Sequence, residues 1–127
     1  MKKNNVVKNL MTSALVFSFL FTYVEAAFLN TLTDTMSSVK VNNASNHDFS
    51  FVTPTGVQAG DTIVITFPGS FSIPVGLTYT DVDVSDNGSD ITLAASSSGA
   101  TAGVVRTSSN VLTFTNGTTV VAPGHTI

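Results

Sequence analysis

An all-β, antiparallel two-sheet sandwich is the fold class this sequence predicts, and three observations predict it. Residues His47 to Pro68 alternate apolar and polar side chains with a period of two, which a strand uses and a helix cannot. Turn signals built from Gly, Pro, Asn and Asp then recur at roughly 8–12-residue intervals. After residue 26 no helical apolar period occurs, and Thr, Ser, Val, Gly and Asn replace the residues helices favour.

The N-terminus stands apart from this pattern. Met1 to Asn9 carry Lys2, Lys3 and Lys8 and no acid, and Leu10 to Val24 form an uncharged apolar run of 15 residues. That is short of the ~20 residues a bilayer span requires. Val24 and Ala26 occupy the positions a signal peptidase reads, so residues 1–26 are expected to be a signal helix cleaved before Ala27. No Cys follows the apolar run, which excludes a lipoprotein anchor. Residues 27–127 are then one small domain with one core.

Removing the leader changes the charge argument. Lys40 and Arg106 remain as the only strong bases against seven Asp and no Glu, a net charge of −5 compared with −3 for the whole chain. A surface so poor in bases is wrong for nucleic acid and for anionic lipid, since both demand Lys and Arg. With no Cys in the chain, stability must come from the core or from neighbouring modules.

Taken in order, Phe28 to Val41 reads as a linker into a first strand, with Val39 and Val41 alternating against Lys40. Asn42 to Asn46 is a polar turn. The two central strands follow, Phe49 and Phe51 sharing one face and Ile63, Ile65 and Phe67 another. Pro54-Thr55-Gly56 and Ala59-Gly60-Asp61 supply turn chemistry between them, and Pro68 ends the second by denying the ladder a donor. Gly69 to Gly76 is a loop expected to fold over one end of the core. Leu77 to Val84 alternates again, Thr80, Val82 and Val84 against Tyr79, Asp81 and Asp83. Asp86-Asn87-Gly88 is a turn, and Ile91 with Leu93 opens another strand. Ala94 to Gly103 reads as a small, flexible surface loop. Val104 to Arg106 and Val111 to Thr115 are two further strands, the second placing Leu112 and Phe114 on one face. Asn116-Gly117 is expected to close a type I′ hairpin. The expected core is Phe49, Phe51, Ile63, Ile65, Phe67, Val82, Val84, Ile91, Leu93, Leu112 and Phe114.

The C-terminus repeats an earlier stretch. Val121-Ala122-Pro123-Gly124-His125-Thr126-Ile127 echoes Val57-Gln58-Ala59-Gly60-Asp61-Thr62-Ile63, each a turn at Gly followed by x-Thr-Ile opening a strand. In the first copy the strand runs on, so the expectation is a sandwich left incomplete at its C-terminus, as in a truncated chain.

The run TPTGVQAGDTIVITFP, followed by YTDVDV and VLTFTNGTTVVAPGHTI, resembles the immunoglobulin-like modules of large secreted bacterial surface proteins. The likeness spans roughly Leu32 to Ile127. It implies an immunoglobulin-like antiparallel β-sandwich used as a stalk, surface-layer or adhesin segment, with one or two more strands beyond Ile127. It brings no catalytic residues with it.

Candidate chemistry is sparse. Asp81, Asp83, Asp86 and Asp90 place four carboxylates within ten residues, a Ca²⁺ candidate because that cation takes several oxygens from a flexible loop. From Asp83 the pattern matches the first half of an EF-hand, but its twelfth position is Ala94, where a bidentate Glu is required, so a true EF-hand is excluded. His47 and His125 lack the Cys or Glu partners a zinc site would recruit, and ordinary hydrogen-bonded edge histidines are expected. There is no Gly-x-Ser-x-Gly, and no enzyme is expected. Lys40, the only lysine after the leader, is the candidate for an internal Lys–Asn or Lys–Asp amide bond. Carbohydrate platforms usually use Trp or Tyr; the chain has no Trp, and Tyr79 is the only Tyr after the leader.

These readings lead to a non-enzymatic, secreted or cell-surface structural or adhesive module, the N-terminal part of a larger surface protein. Its expected partners are proteins or neighbouring modules of the same chain, with no nucleic acid and no membrane after leader removal. No cofactor is expected beyond the calcium candidate. Alternatives are a carbohydrate- or ligand-binding sandwich, or a fibre subunit that assembles by strand exchange through an open sheet edge.

Overall fold

The computed structural model describes residues 29–40 and 42–127. The expected signal helix over 1–26 and Val41 lie outside the described residues. The described residues are all-β, with nine strands: β1 Asn30–Met36, β2 His47–Thr53, β3 Thr62–Thr66, β4 Ser85–Asp86, β5 Ser89–Asp90, β6 Leu93–Ala94, β7 Ala102–Ser108, β8 Val111–Thr115 and β9 His125–Thr126. They form a three-stranded sheet in the order β1-β2-β9, a four-stranded sheet in the order β3-β8-β7-β6, and the β4–β5 hairpin. This is a β-sandwich-like architecture. Among the described residues no helix is long and apolar enough to cross a membrane.

Period-two alternation builds the central strands as expected. In β2, Phe51 and Thr53 are buried on one face, and in β3 Ile63 and Ile65 are half-buried while Thr62, Val64 and Thr66 face solvent. β8 buries Phe114. Phe114 packs with Ala102 and Val104 of β7, and Ile63, Val82, Val84, Ile91, Leu93 and Leu112 close over them. A second packing centre is aromatic. The His47 ring lies 5.7 Å from Phe49, 5.1 Å from Phe67 and 6.0 Å from Phe71, tying β2 to the segment that follows β3. Of the Gly69–Gly76 loop expected to fold over one end, Ile73 is buried, with Arg106 Nε donating to its carbonyl at 3.1 Å, while Phe71 and Val75 stay exposed.

Five expectations are corrected. The first strand is β1, upstream of the Val39–Val41 alternation, and Lys40 lies in an exposed non-strand stretch after it. β1 carries no period because all seven of its residues are exposed, and its pairing with the edge of β2 alone makes it a strand. Leu77 to Val84 is not one strand: Tyr79–Asp81 forms a 3-10 turn, because Asp81 Oδ2 reaches back to accept from the Thr78 N–H at 2.9 Å. Asn116-Gly117 makes no hairpin. The two-residue turn of that kind is Asn87-Gly88 between β4 and β5, with φ of 47° and 79°. The Ala94–Gly103 stretch is not a loose loop. Its small residues allow backbone to approach backbone, so that a Cβ on Gly103 or Gly117 would run into this segment's main chain. Finally, not all pairing is antiparallel, since β6 runs parallel to β7 with Leu93 opposite Ala102.

Candidate functional site

The echo between the two ends of the chain is a structural repeat. Asp61 N–H donates to the Gln58 carbonyl at 3.1 Å and His125 N–H to that of Ala122 at 3.2 Å, so each copy is a four-residue turn. Gly60 and Gly124 both occupy the third turn position with φ of 80°, a geometry that favours Gly, and Ala59 and Pro123 precede them. Val57 and Val121, one step before each turn, bond to each other in both directions at 3.0 Å and are both buried.

The strands around this seam pair crosswise. β3, which follows the first turn, pairs with β8, while β9, which follows the second, pairs with β2. Ile63 stands opposite Phe114, and Ile127 exchanges two backbone bonds with Phe51 at 3.0 and 2.9 Å. Phe51 therefore corresponds to Phe114, and both are buried, 4% and 6% exposed. Two residues on, Thr53 and Asn116 correspond as well: Gly124 N–H donates to the Thr53 carbonyl and Gly60 N–H to that of Asn116. Among the described residues these two are also the buried polar ones, each held by hydrogen bonds. Thr53 Oγ1 donates to the His125 carbonyl at 3.2 Å, and Asn116 Nδ2 reaches the carbonyls of Val57, Gln58 and Thr119 at 2.7–3.2 Å. The seam is thus an approximate two-fold arrangement of strand, valine, turn and strand.

The correspondence can be followed as far as Ile127. β3 continues along β8 with Val64, Ile65 and Thr66 opposite Thr113, Leu112 and Val111. Along β2, pairing on the β9 side stops once Ile127 has met Phe51. What remains is a groove of about 590 Å³ with Asp48, Phe49 and Ser50 on one wall, Ser85, Asn87 and Gly88 on the other, and Thr126 and Ile127 at its head. The far wall is held to β9 by the Asn87 N–H donating to the Thr126 carbonyl at 2.8 Å and by Asn87 Oδ1 accepting from the Thr126 N–H at 2.9 Å. His125 Nδ1 donates to Asp86 Oδ1 at 2.7 Å beside it.

The calcium candidates do not converge. Asp86 is engaged by His125, Asp81 accepts from the Thr78 backbone and hydroxyl, and Asp83 and Asp90 point to solvent from separate positions. The two Thr78 bonds hold the Asp81 carboxyl below its ordinary value of 3.8, the backbone bond contributing most. Among the described residues no three His, Asp or Glu side chains gather in a way that could hold a metal ion. His47 Nδ1 donates to Asp34 Oδ2 at 2.9 Å across the β1–β2 ladder, so each histidine is paired with an aspartate. Tyr79 is exposed at 37% on the 3-10 turn, away from the seam.

Sequence reasoning found the echo but not what it does. The signal for the crossed pairing was present in the parallel texts FSFVT and LTFTN, which precede the two turns. No family model, no curated protein and no solved structure matches this chain.

Proposed function

We propose that this chain is a non-enzymatic structural or adhesive module of a secreted or cell-surface protein, whose work is to bear load along its strands. One observation carries the reading. β1 and β9 flank β2, both antiparallel to it, so they run parallel to each other and enter from the same end. Tension applied through Leu29 and Ile127 draws β1 toward the Val52 end of the sheet and β9 toward the His47 end. Ladder bonds stand perpendicular to the strands, so this pull loads them in shear, together, rather than one after another. The leader-like residues 1–26, the acidic Thr- and Ser-rich exterior and the likeness to immunoglobulin-like surface modules support an extracellular setting.

The test uses two pulling directions. The chain has no Cys, so a pair of introduced thiols addresses handles uniquely. Handles at L29C and a Cys after Ile127 load the sheet in shear, whereas L29C with T55C opens the β1–β2 ladder from one end. Single-molecule stretching is expected to give an unfolding force several-fold higher in the first geometry. Equal forces in both geometries would remove the load-bearing reading.

A further inference from the structure

We propose that the groove beside β2 is the seat of one more β-strand, running on in line from Ile127 and antiparallel to β2, with the side-chain pattern of Val64–Phe67. The inference stands whether or not the chain bears load, because it rests on the repeat and on backbone groups of β2 that no other described residue engages.

The first argument is register. The approximate two-fold relation equates Ile127 with Ile63 and the β2 residues Phe51, Ser50, Phe49 and Asp48 with Phe114, Thr113, Leu112 and Val111 of β8. In the first copy, the three residues after Ile63 lie against Thr113, Leu112 and Val111. Applied to the second copy, the same relation sends the next three residues against Ser50, Phe49 and Asp48. Those three residues line the groove.

The second argument is hydrogen bonding. In an antiparallel ladder a residue's N–H and C=O point to one side, and the next residue's to the other. Phe51 directs both groups to Ile127, so Phe49 directs both into the groove. Thr33 Oγ1 bonding the Ser50 carbonyl places Ser50 on the β1 side, in keeping with this alternation. A strand edge in this state accepts another strand readily.

The far wall of the groove favours one strand over a whole sheet edge. The groove has a second wall, Ser85, Asn87 and Gly88, already joined to β9. A neighbouring copy's sheet arriving edge-on would meet that wall, whereas a single strand can continue the course of β9, which already lies between Val52 and Asn87 at Thr126. The fitting residue pattern follows from Phe49. It is half-buried and belongs to the His47, Phe67 and Phe71 aromatic cluster, so the residue opposite it must be aliphatic, as Ile65 is opposite Leu112.

Chain extension tests this. Appending Val-Ile-Thr-Phe-Pro, a copy of residues 64–68, after Ile127 is expected to slow amide exchange at Phe49 by about tenfold or more and to raise the urea midpoint. A second extended chain places one Gly before the same five residues. That slip turns every side chain to the opposite face, and it is expected to leave Phe49 exchanging as in the parent. Unchanged exchange with the first extension, or equal slowing with both, overturns the proposal. So does equal protection of Phe49 by free Thr-Ile-Val-Ile-Thr-Phe peptide, because the seat would then take a strand from elsewhere rather than a continuation of β9.

Discussion

At the residue scale, Asn116 shows how a residue can signal one role along the chain and perform another in the fold. Next to Gly117 it carries the strongest local signal for a tight hairpin, because Asn and Gly both tolerate positive φ. In the fold it is 2% exposed, and its amide nitrogen supplies three backbone carbonyls where the seam closes. An amide has only two N–H groups, so one of the three contacts is shared. N116A is expected to cost about 1–3 kcal/mol in urea denaturation, since it leaves buried carbonyls without donors. N116D should cost at least as much, because a carboxylate brings acceptors to a site that needs donors. Gly56 is constrained in a comparable way: its φ is +74°, and a Cβ there would collide with the Val121 carbonyl. The glycine was legible as turn chemistry, but the crossing chain that demands it was not.

At the element scale, alternation was a sound guide where one face is buried and misled where it is not. β2, β3 and β8 were legible because Phe51, Ile63 and Phe114 need burial and their neighbours do not. β1 was illegible because its seven residues are all exposed. The Leu77–Val84 stretch alternates equally well, yet Thr78-x-x-Asp81 holds a local bond that bends the chain into a 3-10 turn. That bond has a pH consequence. A carboxyl whose folded-state pKa is depressed adds stability that is present above its unfolded value, here 3.8, and lost as pH falls through the folded value. The turn is therefore expected to loosen only in acid, below about pH 4, with Asp81 titrating below the ordinary aspartate value of 3.8 by NMR. T78A should bring its titration part of the way back and leave the backbone contribution in place.

At the scale of the whole molecule, the approximate two-fold seam organises both sheets. Each half sends its second strand into the other half's sheet, so neither half can be removed without opening both. The two sheets are thereby joined without disulfides, through Val57 and Val121 at the centre and Phe51 and Phe114 on either side. Equivalent positions should have similar energetic weight. F51A and F114A are each expected to cost about 3–5 kcal/mol, within about 1 kcal/mol of each other. F71A, at a residue 43% exposed, should cost distinctly less. A large disparity between the first two, measured by denaturant unfolding, would mean that the two-fold relation is geometric only.

What the amino-acid sequence determined by itself was everything set by neighbours along the chain: the strand period, the turns at Gly60, Asn87-Gly88 and Gly124, the acidic surface and the presence of a repeat. These follow from φ/ψ preference and from which side chains seek burial, both local properties. Only the tertiary structure decided which strand pairs with which, that the two copies cross, that β6 runs parallel to β7, and that Asp48, Phe49 and Ser50 line a groove beside β2. The physical reason is that a backbone ladder accepts any strand of suitable length. The choice of partner falls to packing and to the satisfaction of buried groups such as Asn116 and Thr53, which no short stretch of sequence displays.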